Sequence, residues 1–222
     1  MSKYFIIPAA ITLITFAGSS ITLAQEETGN RYEARRVASE NGQQNPTVPQ
    51  ALVMKLRKAN DASIELAKMV QDKTDHADIR QLTQTIARDH QILNRELEKL
   101  TSDARWADDQ GKSRVVAGQS PQRVPEELCK IADQACSNAL KMTKEMFAQY
   151  SGQDLDMAFL GHQIVAHTML LSELQAIRDV GPGSLQPFSE QAIDKVQKHL
   201  KRARQLAKRF EDEQDQGKDS QS

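Results

Sequence analysis

Hydrophobic residues recur at steps of three and four along four long stretches of the chain. This spacing aligns side chains on one face of an α-helix. The stretches cover residues 52–70, 79–100, 155–177 and 192–210, and the second is the most regular. The sequence therefore predicts an all-α protein with four long amphipathic helices.

The ends of these stretches set the predicted domain organisation. Residues 25–48 are polar and lack apolar periodicity, which predicts a disordered leader. The helical domain covers 49–211, with a linker that contains glycine and proline at 104–125, and residues 212–222 predict a disordered charged tail. Short turns predict two helical hairpins joined by a long connection, which also holds an extra helical segment at 126–149. This is the layout of a four-helix bundle.

Two residue pairs have the spacing of helix-capping boxes. Thr47 with Gln50 precedes the first stretch, and Ser151 with Asp154 precedes the third. We expect each pair to begin a helix.

The chain starts with the features of a secretory signal peptide. Lys3 precedes an apolar run from Tyr4 to Ala17, and small residues lead to Ala24. The run is shorter than the ~20 residues that a membrane-spanning helix needs. We expect residues 1–24 to be cleaved, so that the mature protein is exported, periplasmic or secreted, without a transmembrane segment.

Composition and motifs exclude several classes of function. The 29 Lys and Arg residues nearly balance the 30 Asp and Glu residues, so no global field attracts nucleic acid. The chain lacks a glycine-rich phosphate loop, a G-x-S-x-G turn, a C-x-x-C pair and an H-E-x-x-H helix. We therefore propose no catalytic residue, and a non-enzymatic protein is favoured.

Cys129 and Cys136 invite a disulfide in an exported protein. In one continuous helix, however, this separation is about 10.5 Å along the axis, which is beyond the reach of a disulfide. Either the segment is not one helix or the thiols are buried as small hydrophobic groups, and the second interpretation is favoured.

Three histidines fall on the apolar faces of three different predicted helices. Counting from the turns places His90, His167 and His199 at similar heights, with Ser63 at the same level on the first helix. Three neutral imidazoles suit zinc or copper and leave a fourth ligand position. Alternatively, the rings form a polar layer with Ser63, Asp89, backbone carbonyls or trapped water.

Other polar residues have simpler expected roles. Asp89 lies on the flank of its helix and could orient an imidazole of a neighbouring helix. His162 is expected at the surface and His76 in a turn. Asp156 lies in a first helical turn, where a carboxylate complements the helix dipole.

A group of basic residues occupies adjoining outward positions of the last predicted helix. These residues are Lys198, Lys201, Arg202, Lys208 and Arg209. They could bind lipid phosphate or another anionic envelope component. The alternative is a solvated helix face whose charge the acidic tail partly neutralises.

Four stretches carry a resemblance to a known family. They are Ser63-Ile64-Glu65-Leu66-Ala67, Ile86-Ala87-Arg88-Asp89-His90, Leu155 to Leu160 with Ala166-His167, and His199-Leu200 with Ala203 and Leu206. Together they resemble the exported ferritin-like family catalogued as domain of unknown function 4142, over about residues 50–210. The resemblance implies a periplasmic ferritin-like bundle, sometimes labelled an outer membrane protein, with no settled activity.

The chain departs from a ferritin-type iron site. Ser63 stands where the family typically has an inward Glu, and the residues three before His90 and His199 are Ala87 and Val196. The paired Glu-x-x-His motifs of a di-iron centre are therefore missing. The sequence favours a non-enzymatic envelope or stress-associated binding protein. A metal-binding protein or metal-dependent oxidoreductase with a three-histidine site is the alternative.

Overall fold

A computed structural model describes residues 45–103, 106 and 122–219, without the side chains of 214–219. The predicted signal peptide, most of the predicted leader and most of the linker at 104–125 lie outside the described residues. Across the described part the chain is all-α and contains no strand, as the sequence predicts. The described residues form five α-helices, α1 (Val48–Gln71), α2 (Ala77–Ser102), α3 (Glu126–Ala148), α4 (Gly152–Val180) and α5 (Gln186–Asp219).

The predicted cap of α1 is confirmed. The Gln50 backbone N–H donates to Thr47 Oγ1 at 3.4 Å, and the Thr47 backbone N–H donates to Gln50 Oε1 at 2.8 Å. This reciprocal pair satisfies two donors that a helix start leaves without intrahelical partners. The sequence signal and the local geometry agree here because the cap needs no contact from elsewhere in the chain.

The predicted cap of α4 is wrong. Ser151 stands at the N-cap position but its side chain forms no capping hydrogen bond. The next residue, Gly152, has a φ of 53°, in the left-handed region that glycine enters without steric cost. The chain therefore reverses between α3 and α4 through its backbone, and only the backbone oxygen of Ser151 contributes, by accepting from the N–H of Leu155.

The last helix reaches further than the sequence predicts. A 3₁₀ turn at Gly183–Leu185 leads into α5, which continues past Glu211 to Asp219. Glutamate, glutamine and lysine are good helix formers, so a charged segment can extend a helix that is already nucleated.

The core consists of two apolar clusters with a polar layer between them. The first cluster includes Leu66, Ile86, Leu160 and Ala203, and the second includes Leu56, Leu93, Leu174 and Val196. On each of the four helices α1, α2, α4 and α5, a buried polar residue lies between members of the two clusters. These residues are Asn60, His90, His167 and His199, and α4 buries Gln163 between the clusters as well.

Helix α3 packs mainly against α1 and buries few side chains. Phe147 is its single fully buried residue, and two ion pairs, Lys58 with Asp133 and Lys144 with Glu65, join it to α1. Near the start of α3, Val124 N–H donates to Pro46 O at 2.9 Å. This bond joins the end of the linker before α3 to the start of α1.

Both cysteines lie on α3, which is continuous over their separation. Cys129 and Cys136 are free thiols and are half-buried rather than fully buried. The helix geometry that argues against a disulfide therefore holds, while the expectation of buried thiols is wrong because α3 packs mainly against α1 and leaves most of its side chains exposed. Among the described residues, no helix is both long and apolar enough to span a membrane.

Candidate metal centre

The three predicted histidines meet at one point inside the protein. His90 Nε2 lies 3.4 Å from His167 Nε2, which lies 3.2 Å from His199 Nδ1. One nitrogen from each ring lies within 4.8 Å of the other two. The rings are almost inaccessible, with 0%, 1% and 2% of the residue surface exposed for His90, His167 and His199. The sequence-based height estimate thus gave the correct level on all three helices.

The outer nitrogens of two rings face oxygen atoms that can only accept hydrogen bonds. His199 Nε2 lies 3.0 Å from Asp89 Oδ2, and His167 Nδ1 lies 3.1 Å from the backbone oxygen of Gln163. A carboxylate and a carbonyl have no proton to give, so both ring nitrogens must carry the proton. The inward nitrogens of these neutral rings then present lone pairs.

A chain of amides fixes the third ring in the same way. His90 Nδ1 lies 2.8 Å from Asn60 Oδ1, and the Asn60 amide donates to Asn94 Oδ1 at 2.9 Å. The Asn94 amide donates in turn to the carboxylate oxygen of Asp61 at 2.6 Å. Because the last acceptor is a carboxylate, both amides have one satisfactory orientation. Asn60 must therefore accept the Nδ1 proton of His90.

Three lone pairs consequently point at one another across distances of 3.2 and 3.4 Å. No hydrogen bond can join two acceptors, so this arrangement is repulsive unless a cation lies between them. Nitrogens bound tetrahedrally to one metal at ~2.0–2.1 Å lie about 3.3–3.4 Å apart. The two observed spacings match two edges of such a tetrahedron, and the nitrogens of His90 and His199 lie within 4.8 Å of each other.

Burial makes a proton a poor candidate for that cation. It lowers the pKa of His90 well below the usual 6.5, and the neighbouring imidazoles add to the effect. Burial likewise lowers the pKa of His167 to about 3. At His199 burial lowers the pKa although the Asp89 carboxylate acts in the opposite direction. The rings are therefore neutral at physiological pH, which is the state in which imidazole binds metal ions.

Asp89 stays ionised beside this cluster. Burial alone would raise its pKa, but hydrogen bonds from His199 and Arg88 outweigh the burial and hold the pKa below the usual value. A carboxylate hydrogen-bonded to a ligand imidazole fixes the ring orientation and raises its basicity. Asp89 thus has the position that the sequence predicts for an orienting carboxylate.

A surface groove between α2 and α5 reaches the edge of the cluster. It encloses about 590 Å³. The residues that line it are Gln81, Leu82, Thr85, Arg88, Asp89, Lys195, Lys198, His199 and Arg202. We call this the α2–α5 groove. Asp89 and His199 lie on its wall, and their side chains are 15% and 2% exposed.

The predicted basic group of α5 is divided by the structure. Lys198 and Arg202 line the α2–α5 groove, while Lys201 and Lys208 are exposed outside it. Arg209 pairs with Asp78 at 2.7 Å and its guanidinium lies 5.5 Å from the Phe210 ring centroid. The five side chains therefore do not form one uniform patch.

Ser63 does not contact the histidines. Its hydroxyl donates to the backbone oxygen of Ala59 at 3.0 Å, within its own helix. Asn60 occupies the expected position instead. The signal that could have identified it is its spacing of seven from Val53 and four from Leu56, which are both buried. The buried face of α1 is rotated by a fraction of a turn from the face that the sequence predicts.

Two further histidines lie outside the cluster. The prediction of a surface position for His162 is wrong: the ring is half-buried and lies 5.7 Å from the Phe147 ring of α3, edge to face. Burial lowers its pKa. His76 does lie in the turn before α2, where its ring lies 4.4 Å from the Phe210 ring.

Asp156 is more deeply placed than a carboxylate that merely complements a helix dipole. Only 3% of its surface is exposed, and burial raises its pKa despite a hydrogen bond with Thr74. Its Oδ1 atom has no hydrogen-bond partner among the described residues. The carboxylate is therefore a buried and incompletely satisfied group.

The comparisons with known proteins place the chain in a family. The model of the family described as Domain of unknown function (DUF4142) matches residues 33–206, so the chain belongs to that family. No curated protein and no solved structure matches the chain. The description of the family assigns no activity.

Proposed function

We propose that this protein binds one transition-metal ion, zinc or copper, through His90, His167 and His199. The observation that carries the proposal is the protonation pattern: each outer nitrogen faces an acceptor, so all three inward nitrogens are lone pairs directed at one point. Imidazole suits both metals, and three imidazoles leave a fourth position for water or another ligand.

Binding rather than turnover is the role that the burial favours. The three rings are at most 2% exposed, and an apolar cluster lies on either side of them. A substrate would have to displace part of the core to reach the metal. We therefore propose a metal-binding envelope or stress-associated protein, with the metal-dependent oxidoreductase as the second candidate.

The proposal includes the class and location of the protein. We propose a ferritin-like four-helix bundle in which α1–α2 and α4–α5 form the two hairpins and the long connection carries α3. The extensive packing of α1 on α2 and of α4 on α5 supports it.

The signal-peptide features of residues 1–24 support export to the periplasm or beyond the cell. Sequencing the N-terminus of protein recovered from that compartment tests the location, with Gln25 expected first.

Metal titration of the purified metal-free protein tests the function. We expect one equivalent of Zn²⁺ or of Cu⁺ to bind in calorimetry and to raise the melting temperature, because a ligand that binds only the native state stabilises it. Running both metals separately identifies the preferred one. His167→Ala should abolish the binding.

His162→Ala is the matched control. It removes another partly buried imidazole from α4 but none from the cluster, so its metal binding should equal that of the unsubstituted chain. Circular dichroism checks that both variants fold. Millimolar metal without any rise in melting temperature, or equal loss of binding in both variants, would overturn the proposal and leave the polar-layer interpretation.

A further inference from the structure

The α2–α5 groove carries an excess of positive charge. Four cationic side chains line it, Arg88, Lys195, Lys198 and Arg202, against the single carboxylate of Asp89. The chain as a whole has a formal net charge of −1. A concave surface lined by one sign of charge concentrates ligands of the opposite sign.

Part of this charge has no ion-pair partner in the part of the chain that the structure describes. Arg88 pairs with Asp89 and Arg202 pairs with Asp78. Among the described residues, neither Lys195 nor Lys198 takes part in an ion pair. The two ammonium groups thus line the groove outside any described ion pair, although Lys195 helps to lower the pKa of Asp89. Each guanidinium retains further N–H donors.

We infer that the α2–α5 groove binds a small anionic molecule that carries phosphate groups. Cationic groups stand on both walls, with Arg88 on α2 and Lys195, Lys198 and Arg202 on α5. Such groups match a ligand with several negative oxygens. The groove, at about 590 Å³, has room for more than a bare ion, and Gln81, Thr85 and Leu82 offer neutral polar and apolar contacts for the rest of the molecule.

The inference does not rest on the metal centre. The ligand would contact the α2 and α5 side chains and the outer edge of His199, whereas a metal would lie among the inward nitrogens. Both the metal-free protein and the His167→Ala variant should therefore bind the anion. Failure of metal binding and failure of anion binding are separate results.

Calorimetric titration of the metal-free full chain with inorganic pyrophosphate tests the inference. We expect saturable binding with one site, weakened by added salt because the contacts are ionic. The double substitution Lys195→Ala with Lys198→Ala should lower the affinity about tenfold or more. Both lysines are at least partly exposed, so the variant should fold.

The control is the double substitution Lys201→Ala with Lys208→Ala. It removes the same charge from the same helix, but neither lysine lines the groove. We expect its pyrophosphate affinity to change by less than about twofold, as for charges screened by solvent. An equal loss in both variants would mean diffuse charge attraction, and no binding by the unsubstituted chain would exclude the site.

A vesicle arm separates a soluble phosphate compound from a lipid headgroup as the source of the phosphate. Vesicles that contain phosphatidylglycerol are sedimented with the unsubstituted chain and with each of the two double variants. If pyrophosphate competes and only the Lys195 and Lys198 variant loses binding, the groove recognises lipid phosphate. If the vesicles bind neither the unsubstituted chain nor its variants while pyrophosphate binds, the ligand is a soluble compound. Vesicle binding without pyrophosphate binding would contradict a groove site.

Discussion

Two buried polar regions of this protein satisfy their atoms in different ways. In the middle of the helical core, the outer nitrogen of each histidine faces an acceptor and the three inward nitrogens lie within 4.8 Å of one another, while Gln163 Oε1 has no partner among the described residues. Near the turn between α1 and α2, the buried Asp156 bonds Thr74 through one oxygen, and its other oxygen has no partner among the described residues.

The difference shows why burial of polar groups alone does not identify a site. An isolated unpaired oxygen such as Asp156 Oδ1 costs stability and gathers no ligand set around it. Three lone pairs held close together by fixed partners repel one another, which costs free energy. One cation bound between them would remove that cost for all three. Convergence of the unsatisfied atoms, rather than their number, distinguishes the histidine layer from the carboxylate.

The largest expected effect comes from His167→Leu, which should act in opposite directions with and without metal. With metal at a thousandfold excess over Kd, the substituted protein should lack about 4 kcal/mol of stabilisation. Without metal, its free energy of unfolding should be at least that of the unsubstituted chain. We expect a gain of up to about 1–3 kcal/mol, because one facing lone pair is gone.

Urea unfolding with and without metal, followed by circular dichroism, measures both values. If the rings instead formed a satisfied polar layer, removing one would break hydrogen bonds in the metal-free protein. A metal-free His167→Leu protein that is clearly less stable than the parent would therefore remove the contrast between the two regions.

Asp89→Ala should weaken the metal centre without removing a ligand. We expect a 10–100-fold loss of metal affinity, equal to about 1.4–2.7 kcal/mol, since His199 loses the carboxylate that orients it. Competition with a chelator of known affinity gives the constant. Asp133→Ala, which removes an exposed carboxylate from the α1–α3 ion pair, serves as the control and should leave the affinity unchanged.

Asp156→Asn should stabilise the protein at neutral pH by about 1 kcal/mol. The folded-state pKa of Asp156 is raised by burial, so the folded chain holds its proton more tightly than the unfolded chain. This contribution to stability is fully present below the ordinary pKa of 3.8 and is lost as the pH rises through the folded-state value. Asparagine carries no charge and avoids that loss.

Urea unfolding of both proteins at acidic and neutral pH measures the difference. The gain from the substitution should grow from acid to neutral pH. A gain that is independent of pH, or a loss at neutral pH, would show that the Asp156 carboxylate is stabilised by its surroundings.

The sequence predicts the helices and the meeting of the three histidines because both depend on local periodicity. A residue's face and height on a helix follow from counting, and three rings at one height on inward faces converge. The position of α3 does not follow from such counting, because it depends on contacts between distant segments. His162 was therefore placed at the surface, although Phe147 of α3 covers it.

The choice between Ser63 and Asn60 required an angular precision that the apolar pattern of α1 does not provide. Ala59 and Ser63 fit one stripe, while Val53, Leu56 and Asn60 fit another. At 100° per residue, Asn60 lies about 60° from Ser63 around the helix. Both stripes contain apolar residues. Packing against α2, through Asn94, selects the second one.

Ser63→Ala tests this last point and should have the smallest effect. The Ser63 hydroxyl bonds a carbonyl of its own helix, so we expect the stability to change by less than about 0.5 kcal/mol and the metal affinity to stay the same. Asn60→Ala is the comparison: it removes the acceptor of the His90 proton and should lower the metal affinity 10–100-fold. Calorimetric metal titration of the two variants side by side gives the result. If Ser63→Ala lowered the affinity as much as Asn60→Ala, the proton of His90 would not be fixed by the amide chain, and the argument for three facing lone pairs would fail.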